Sequence, residues 1–138
     1  MLIIVHSLWG LALATQTQNF ILLLFGGIGG HILLDAIPHL DLTTVRQVIV
    51  DIFCAFTISL IFIRIFSLPL IFAWSVLFST LPDIDVALHY YGLWKKLYFP
   101  SHLSTWHGIL PSPYRELTNA IVGLLLLILF LIGVKRGV

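Results

Sequence analysis

Charge is what this sequence has least of. Only 9% of its 138 residues are Asp, Glu, Lys or Arg, against about 25% in an ordinary soluble domain. A water-soluble protein of this length could not cover its surface with so few charges, which leaves the bilayer as its solvent. The formal net charge is +1, and the seven basic residues (Arg46, Arg64, Lys95, Lys96, Arg115, Lys135 and Arg136) are scattered. Nucleic acid calls for a concentrated basic stripe, so no nucleic-acid partner is expected. Lys95-Lys96 and Lys135-Arg136 read instead as headgroup contacts at helix ends. Cysteine is nearly missing as well. Cys54 stands alone in an apolar run, which excludes an internal disulfide and leaves the redox compartment open. Neither Cys54 nor Ser101 or Ser104 has the setting of an activated nucleophile. Solenoid repeats and low-complexity runs are absent. No Lys or Arg precedes the first apolar stretch, and His6 and Ser7 interrupt it. That stretch is therefore expected to remain as a helix, although Ala12-Leu13-Ala14 has the look of a cleavage site.

What is present is apolar length. Hydrophobic residues make up 59% of the chain and the mean hydropathy is +1.08. A spanning helix needs about 20 apolar residues, and five segments approach that: 2–14, 20–37, 45–66, 68–81 and 117–134. The first and fourth are short for full spans. Pro38 and Pro82 stop the second and fourth, since proline forces the residue before it out of helical geometry. Between the last two segments, residues 83–114 carry Tyr90, Tyr91, Trp94, Tyr98, Trp106 and Tyr114 with Pro100, Pro111 and Pro113. Tyr and Trp concentrate where headgroups meet water, so this stretch reads as an interfacial loop with one short amphipathic helix. The expected fold is all-α: one membrane domain over 1–138, a helical bundle of about five transmembrane or partly embedded helices.

Alternating these segments across a bilayer sorts the polar residues. With the start of the first segment on side X, His6, His31, Asp35, His39, Asp41, Asp51, Asp83, Asp85, His89, His102 and His107 all fall toward X. All six histidines and all five aspartates of the sequence thus gather at one face, although the assignment used only apolar length and prolines. Spacing sharpens the pattern. His31 and Asp35 are four apart and share a helical face, about 5–6 Å between Cβ atoms. Asp83-Ile84-Asp85 follows a helix-stopping proline, and His102 and His107 bracket a short turn. Asp51 lies deeper and is placed either to join the cluster or to pair with Arg46. Intramembrane ionisable groups cost roughly 2.5–3.5 kcal/mol each on insertion scales, which argues for a task. His nitrogens with Asp oxygens suit zinc, and added carboxylates shift the preference toward manganese or magnesium. Gly26-Gly27-Ile28-Gly29-Gly30, directly before His31, would let a neighbouring backbone approach closely. The dull alternative for the His/Asp cluster is a hydrogen-bonded network that fastens helices.

Gly30-His31-Ile32-Leu33-Leu34-Asp35, Pro82-Asp83-Ile84-Asp85 and His102-Leu103-Ser104-Thr105-Trp106-His107-Gly108 resemble motifs of the membrane-bound metal-dependent hydrolase-like family, small multi-helical prokaryotic proteins. The resemblance covers residues 6 to 108. In this chain the His/Asp helix precedes the Pro-Asp-x-Asp, reversing the family's usual order, and Leu103-Ser104 stands where Arg-Gly is usual. The resemblance implies a divalent metal held by His6, His31, Asp35, Asp83 and His107, in a prokaryotic cytoplasmic membrane. Asp85 and His102 would then act as general base and acid, and His39, Asp41, Asp51 and His89 stand as additional candidates. The expected function is a metal-dependent hydrolase at headgroup level, with membrane lipid as partner and a lipid phosphoester as substrate. The alternative is a non-catalytic membrane protein using the same cluster to bind metal, lipid or a partner, or to pass metal or protons. Loop charges, four on X against three on Y, lean toward a cytoplasmic X face.

Overall fold

The computed structural model of the chain describes residues 2–39, 42, 44–102 and 114–137, without the side chains of 115 and 116. The expected ligand His107 and the additional candidate Asp41 lie outside the described residues. Those described form α1 (Ile3–Ala14), α2 (Phe20–Ala36), α3 (Val45–Ile65), α4 (Ile71–Thr80), α5 (Asp83–Tyr90), a 3-10 turn (Pro100–His102) and α6 (Tyr114–Lys135), with no strand among them.

Local sequence explains most of the boundaries. Asn19 opens α2 by accepting the Ile21 and Leu22 N–H groups at 3.0 and 3.2 Å, as an N-cap side chain does. Ahead of Pro38, Ile37 is already extended, with ψ 131°, the restriction proline places on its predecessor. Thr44 and Gln47 form a reciprocal capping box at the start of α3. That helix ends with Ser67 in the left-handed region at φ 51° and the Leu68 N–H bonded back to the Ile63 carbonyl, a Schellman-type stop with serine where glycine is usual. No side chain of its own caps α1. Asp51 does so from α3, its Oδ2 accepting the Ile3 N–H at 2.6 Å.

Length separates two kinds of helix. α3 and the 117–135 stretch of α6 are long and apolar enough to cross a membrane, and α4 with α5 pass the same test as one pair bent by 53°. α1 and α2, with 12 and 17 residues, reach about 18 and 25 Å at 1.5 Å per residue, short of a hydrocarbon core about 30 Å thick.

The shorter of these last two is the innermost helix. α1 packs against α2, α3, α4 and α6, and its Val5, Leu8, Leu11, Ala12 and Ala14 are buried with Leu23, Phe72, Val76, Phe78, Leu126 and Phe130. By contrast, the long α3 buries only Ala55 and Ser59. Large apolar side chains face outward: Phe25, Leu33, Phe53, Ile65 and Leu70 are 68–73% exposed. In water such a surface would aggregate. The interior instead holds His6, His31, Asp35 and Asp85, each at most 1% exposed.

Candidate metal centre

Four segments deliver the polar side chains to one end of the bundle: the start of α1 (His6), the end of α2 (His31, Asp35), the start of α5 (Asp83, Asp85) and the 3-10 turn (His102). The expected gathering of these residues is therefore present in three dimensions. The helical period brings His31 and Asp35 together, with Nε2 and Oδ2 3.0 Å apart.

Glycine sets how closely α2 meets its neighbours. A Cβ on Gly27 would stand 3.0 Å from the backbone of Phe78 and Ser79 on α4, and one on Gly30 would overlap the Trp9 indole. Trp9 lies across this face and donates its Nε1–H to the Gly26 carbonyl at 3.0 Å. Of the four expected contact glycines, Gly29 alone faces open space. The close approach of α4 has a direct effect on the site. It brings the Ser79 carbonyl within 2.8 Å of His31 Nδ1. A carbonyl only accepts, so Nδ1 carries a proton, and in the neutral ring Nε2 is the nitrogen that presents its lone pair.

That lone pair is the unusual feature. His31 Nε2 is buried and has no hydrogen-bond partner among the described residues, yet it sits 3.0 Å from Asp35 Oδ2 and 3.8 Å from Asp83 Oδ1. Electron-rich atoms that face one another call for a cation between them, either a proton or a metal. His102 Nε2 completes the group, 3.6 Å from Asp35 Oδ2 and 3.8 Å from Asp83 Oδ1. Burial pulls the His102 imidazole below its ordinary pKa, against the opposing pull of the Asp35 carboxylate, so the ring is held neutral with a lone pair to give. On the other side, His6 Nε2 lies 3.1 Å from Asp35 Oδ1. Two triads result, His6/His31/Asp35 and His31/Asp83/His102, the donor atoms of each within 4.8 Å of one another.

These donors fit a metal ion. Bonds of about 2.0–2.2 Å in a tetrahedral shell put ligand atoms roughly 3.3–3.6 Å apart, and the imidazole-to-carboxylate separations of His31 and His102 from Asp35 and Asp83 run from 3.0 to 3.8 Å. The second nitrogen of His31 is already tied to a carbonyl, the outer contact that orients metal-bound imidazoles. Asp83 Oδ2 is a further buried oxygen without a partner among the described residues.

The remaining candidates have other surroundings. Asp85 is buried, and its Oδ2 accepts the backbone N–H groups of Tyr98 and Phe99 at 2.7 and 2.8 Å, while lying 3.6 Å from His102 Nδ1. It ties down the chain that carries His102. Asp51 is occupied at the α1 cap, the task that spacing alone does not disclose. His39 is buried, with Nδ1 donating to the Ile37 carbonyl at 2.6 Å, and His89 donates to the Trp94 carbonyl at 3.1 Å on an exposed turn. Neither belongs to the two triads. Sequence reasoning passed over the Ser79 carbonyl, the Trp9 wedge and Ser101, whose buried Oγ has no partner among the described residues. A backbone acceptor leaves no mark in side-chain identity. No family model, curated protein or solved structure matches the chain.

Proposed function

We propose that the chain is an integral membrane, metal-dependent hydrolase acting at the headgroup level, with a lipid phosphoester as substrate. The observation that carries this reading is the buried Nε2 of His31 facing two carboxylates and a second imidazole, in two donor groups whose atoms lie within 4.8 Å of one another. The reading also keeps the likeness to the membrane-bound metal-dependent hydrolase-like proteins as a proposal, on the three short motifs that suggested it. His31, Asp35, Asp83 and His102 hold the ion, zinc first and manganese or magnesium as alternatives. A divalent ion there supplies Lewis-acid activation of water and of a phosphoryl oxygen. Asp83 is the carboxylate placed to take a proton from a water held at the site, because its buried Oδ2 has no partner among the described residues. Asp85 acts on the backbone of Tyr98 and Phe99, and so positions His102.

Hydroxyl groups deeper in the bundle disfavour a transport path. Ser59, Ser79 and Thr80 each donate to a carbonyl of their own helix, and Ser75 donates to the Gly10 carbonyl of α1. Their protons are committed to nearby carbonyls.

Elemental analysis of the detergent-purified protein tests the reading, with a His31→Ala/Asp35→Ala double variant of matched folding alongside. Bound zinc or manganese in the wild type that is lost in the variant is the expected result. A wild type that takes up no metal even after reconstitution with divalent cations would make the cluster a hydrogen-bonded network and end the hydrolase reading.

A further inference from the structure

His6 and His31 lie face to face, ring centroids 3.8 Å apart and planes 18° from parallel. Each directs Nε2 at a different oxygen of one carboxylate: His6 at Asp35 Oδ1, 3.1 Å away, and His31 at Asp35 Oδ2, 3.0 Å away. Resting on the metal-site reading above, we propose that the centre takes two divalent cations bridged by Asp35, one on the His31 side and one on the His6 side.

Three features of the site support this. First, an imidazole binds a metal through a lone pair that lies in its ring plane. Two planes so nearly parallel do not meet within the ~2.0–2.1 Å of a metal–nitrogen bond, so His6 and His31 cannot share one ion with good geometry at both. Second, His31 has only Nε2 to give, because Nδ1 is committed to the Ser79 carbonyl. It therefore serves one ion, and the group with Asp83 and His102 offers that ion the fuller shell. His6 with Asp35 Oδ1 is left over as a separate pair of donors. Third, the stacking distance matches the ~3.5–4 Å between ions in two-metal centres that handle phosphoesters, and a carboxylate with one oxygen toward each imidazole is the natural bridge.

Charge gives the second ion a purpose. With all three carboxylates ionised, as metal ligation requires of the ligating ones, Asp35, Asp83 and Asp85 bring three negative charges into a buried space. A single divalent ion leaves that space with net −1, which repels an anionic phosphoester. Two ions reverse the sign to +1 and let the phosphoryl group in. The two positions are unequal, however. His6 Nδ1 has no partner among the described residues and lacks the outer hydrogen bond that strengthens a ligating histidine. The His31 position fills first, and the His6 position is the weaker and more exchangeable one.

Equilibrium dialysis of metal-stripped protein against Mn2+, read by ion count and by electron paramagnetic resonance, tests the proposal. Two manganese ions per chain, bound in two steps and giving an exchange-coupled spectrum at saturation, are expected. His6→Gln and His6→Ala should each hold one ion with an uncoupled six-line signal. Saturation of the wild type at one ion, unchanged by either His6 variant, would overturn the second position and leave the single-ion hydrolase standing. Two ions without coupling would overturn the Asp35 bridge. Binding of no ion at all would remove the metal centre itself, a failure distinct from the other two.

Discussion

Asp85 shows how a residue can matter to a site without touching what the site binds. Its Oδ2 holds two backbone N–H groups from the segment just before His102, and hydrogen bonds to a charged acceptor contribute about 1.5–3 kcal/mol each when well formed. Both contacts are only part-buried, so Asp85→Ala is expected to cost about 1–3 kcal/mol in total. It should also weaken metal binding through His102, whereas Asp85→Asn, which keeps an oxygen acceptor, should retain most of both. Thermal unfolding and a metal titration of the two variants check this; equal losses in both would remove the tether. The sequence alone made Asp85 a candidate base, because a Pro-Asp-x-Asp at a helix start offers two equivalent carboxylates and no hint of which faces the loop. The His31/Asp35 pair was legible, since four-residue spacing is a property of the helix itself. That His6 meets the far oxygen of the same carboxylate was not, because it depends on how α1 is rotated within the bundle.

At the level of helices, the ends were readable and the contacts only partly so. Pro38 stops α2 by holding Ile37 extended, whereas Leu81 before Pro82 keeps helical angles and Pro82 marks a bend instead; the Thr44/Gln47 box opens α3. The glycine run before His31 predicted a close approach without saying to what. Gly27 meets the α4 backbone and Gly30 meets the Trp9 ring. Gly30→Ala is accordingly expected to destabilise the protein by about 1–3 kcal/mol, as overpacking does. Trp9→Leu should relieve much of that penalty, so the double variant falls short of the summed single effects by roughly 1 kcal/mol or more. Unfolding in SDS gives the measurement, and strict additivity would mean that the two residues do not meet. The short helix expected beyond the fourth segment is present and follows α4 directly. Helix resumes past Pro82 as α5 at a 53° bend, and the bend turns Asp83 and Asp85 inward to the site.

At the scale of the whole molecule, the cluster is a polar fastening, among the described residues, of a largely apolar bundle. Lipid tails are as apolar as leucine, so burial between helices in a bilayer brings little hydrophobic gain, and packing and polar contacts carry the association. An ion held by α2, α5 and the 3-10 turn would join segments that are far apart in the chain. Ligand bound only to the native state stabilises it, by about 2.7 kcal/mol at a hundredfold excess over Kd. Chelation is therefore expected to lower the thermal midpoint and to expose the 91–102 connection to protease first; a midpoint unmoved by chelator and by added zinc would deny the ion any structural share. The placement of α1 bears on how the protein is made. This helix precedes the others in the chain and so leaves the ribosome before them, yet it is the one they surround, with His6 fully buried among them. Its polar side chain stays uncovered until α2, α4 and α6 have been synthesised to pack against α1. Assembly therefore cannot proceed strictly from the first helix outward. The bundle closes around its first helix, and the cluster at its end is complete only once the 3-10 turn that carries His102 is in place.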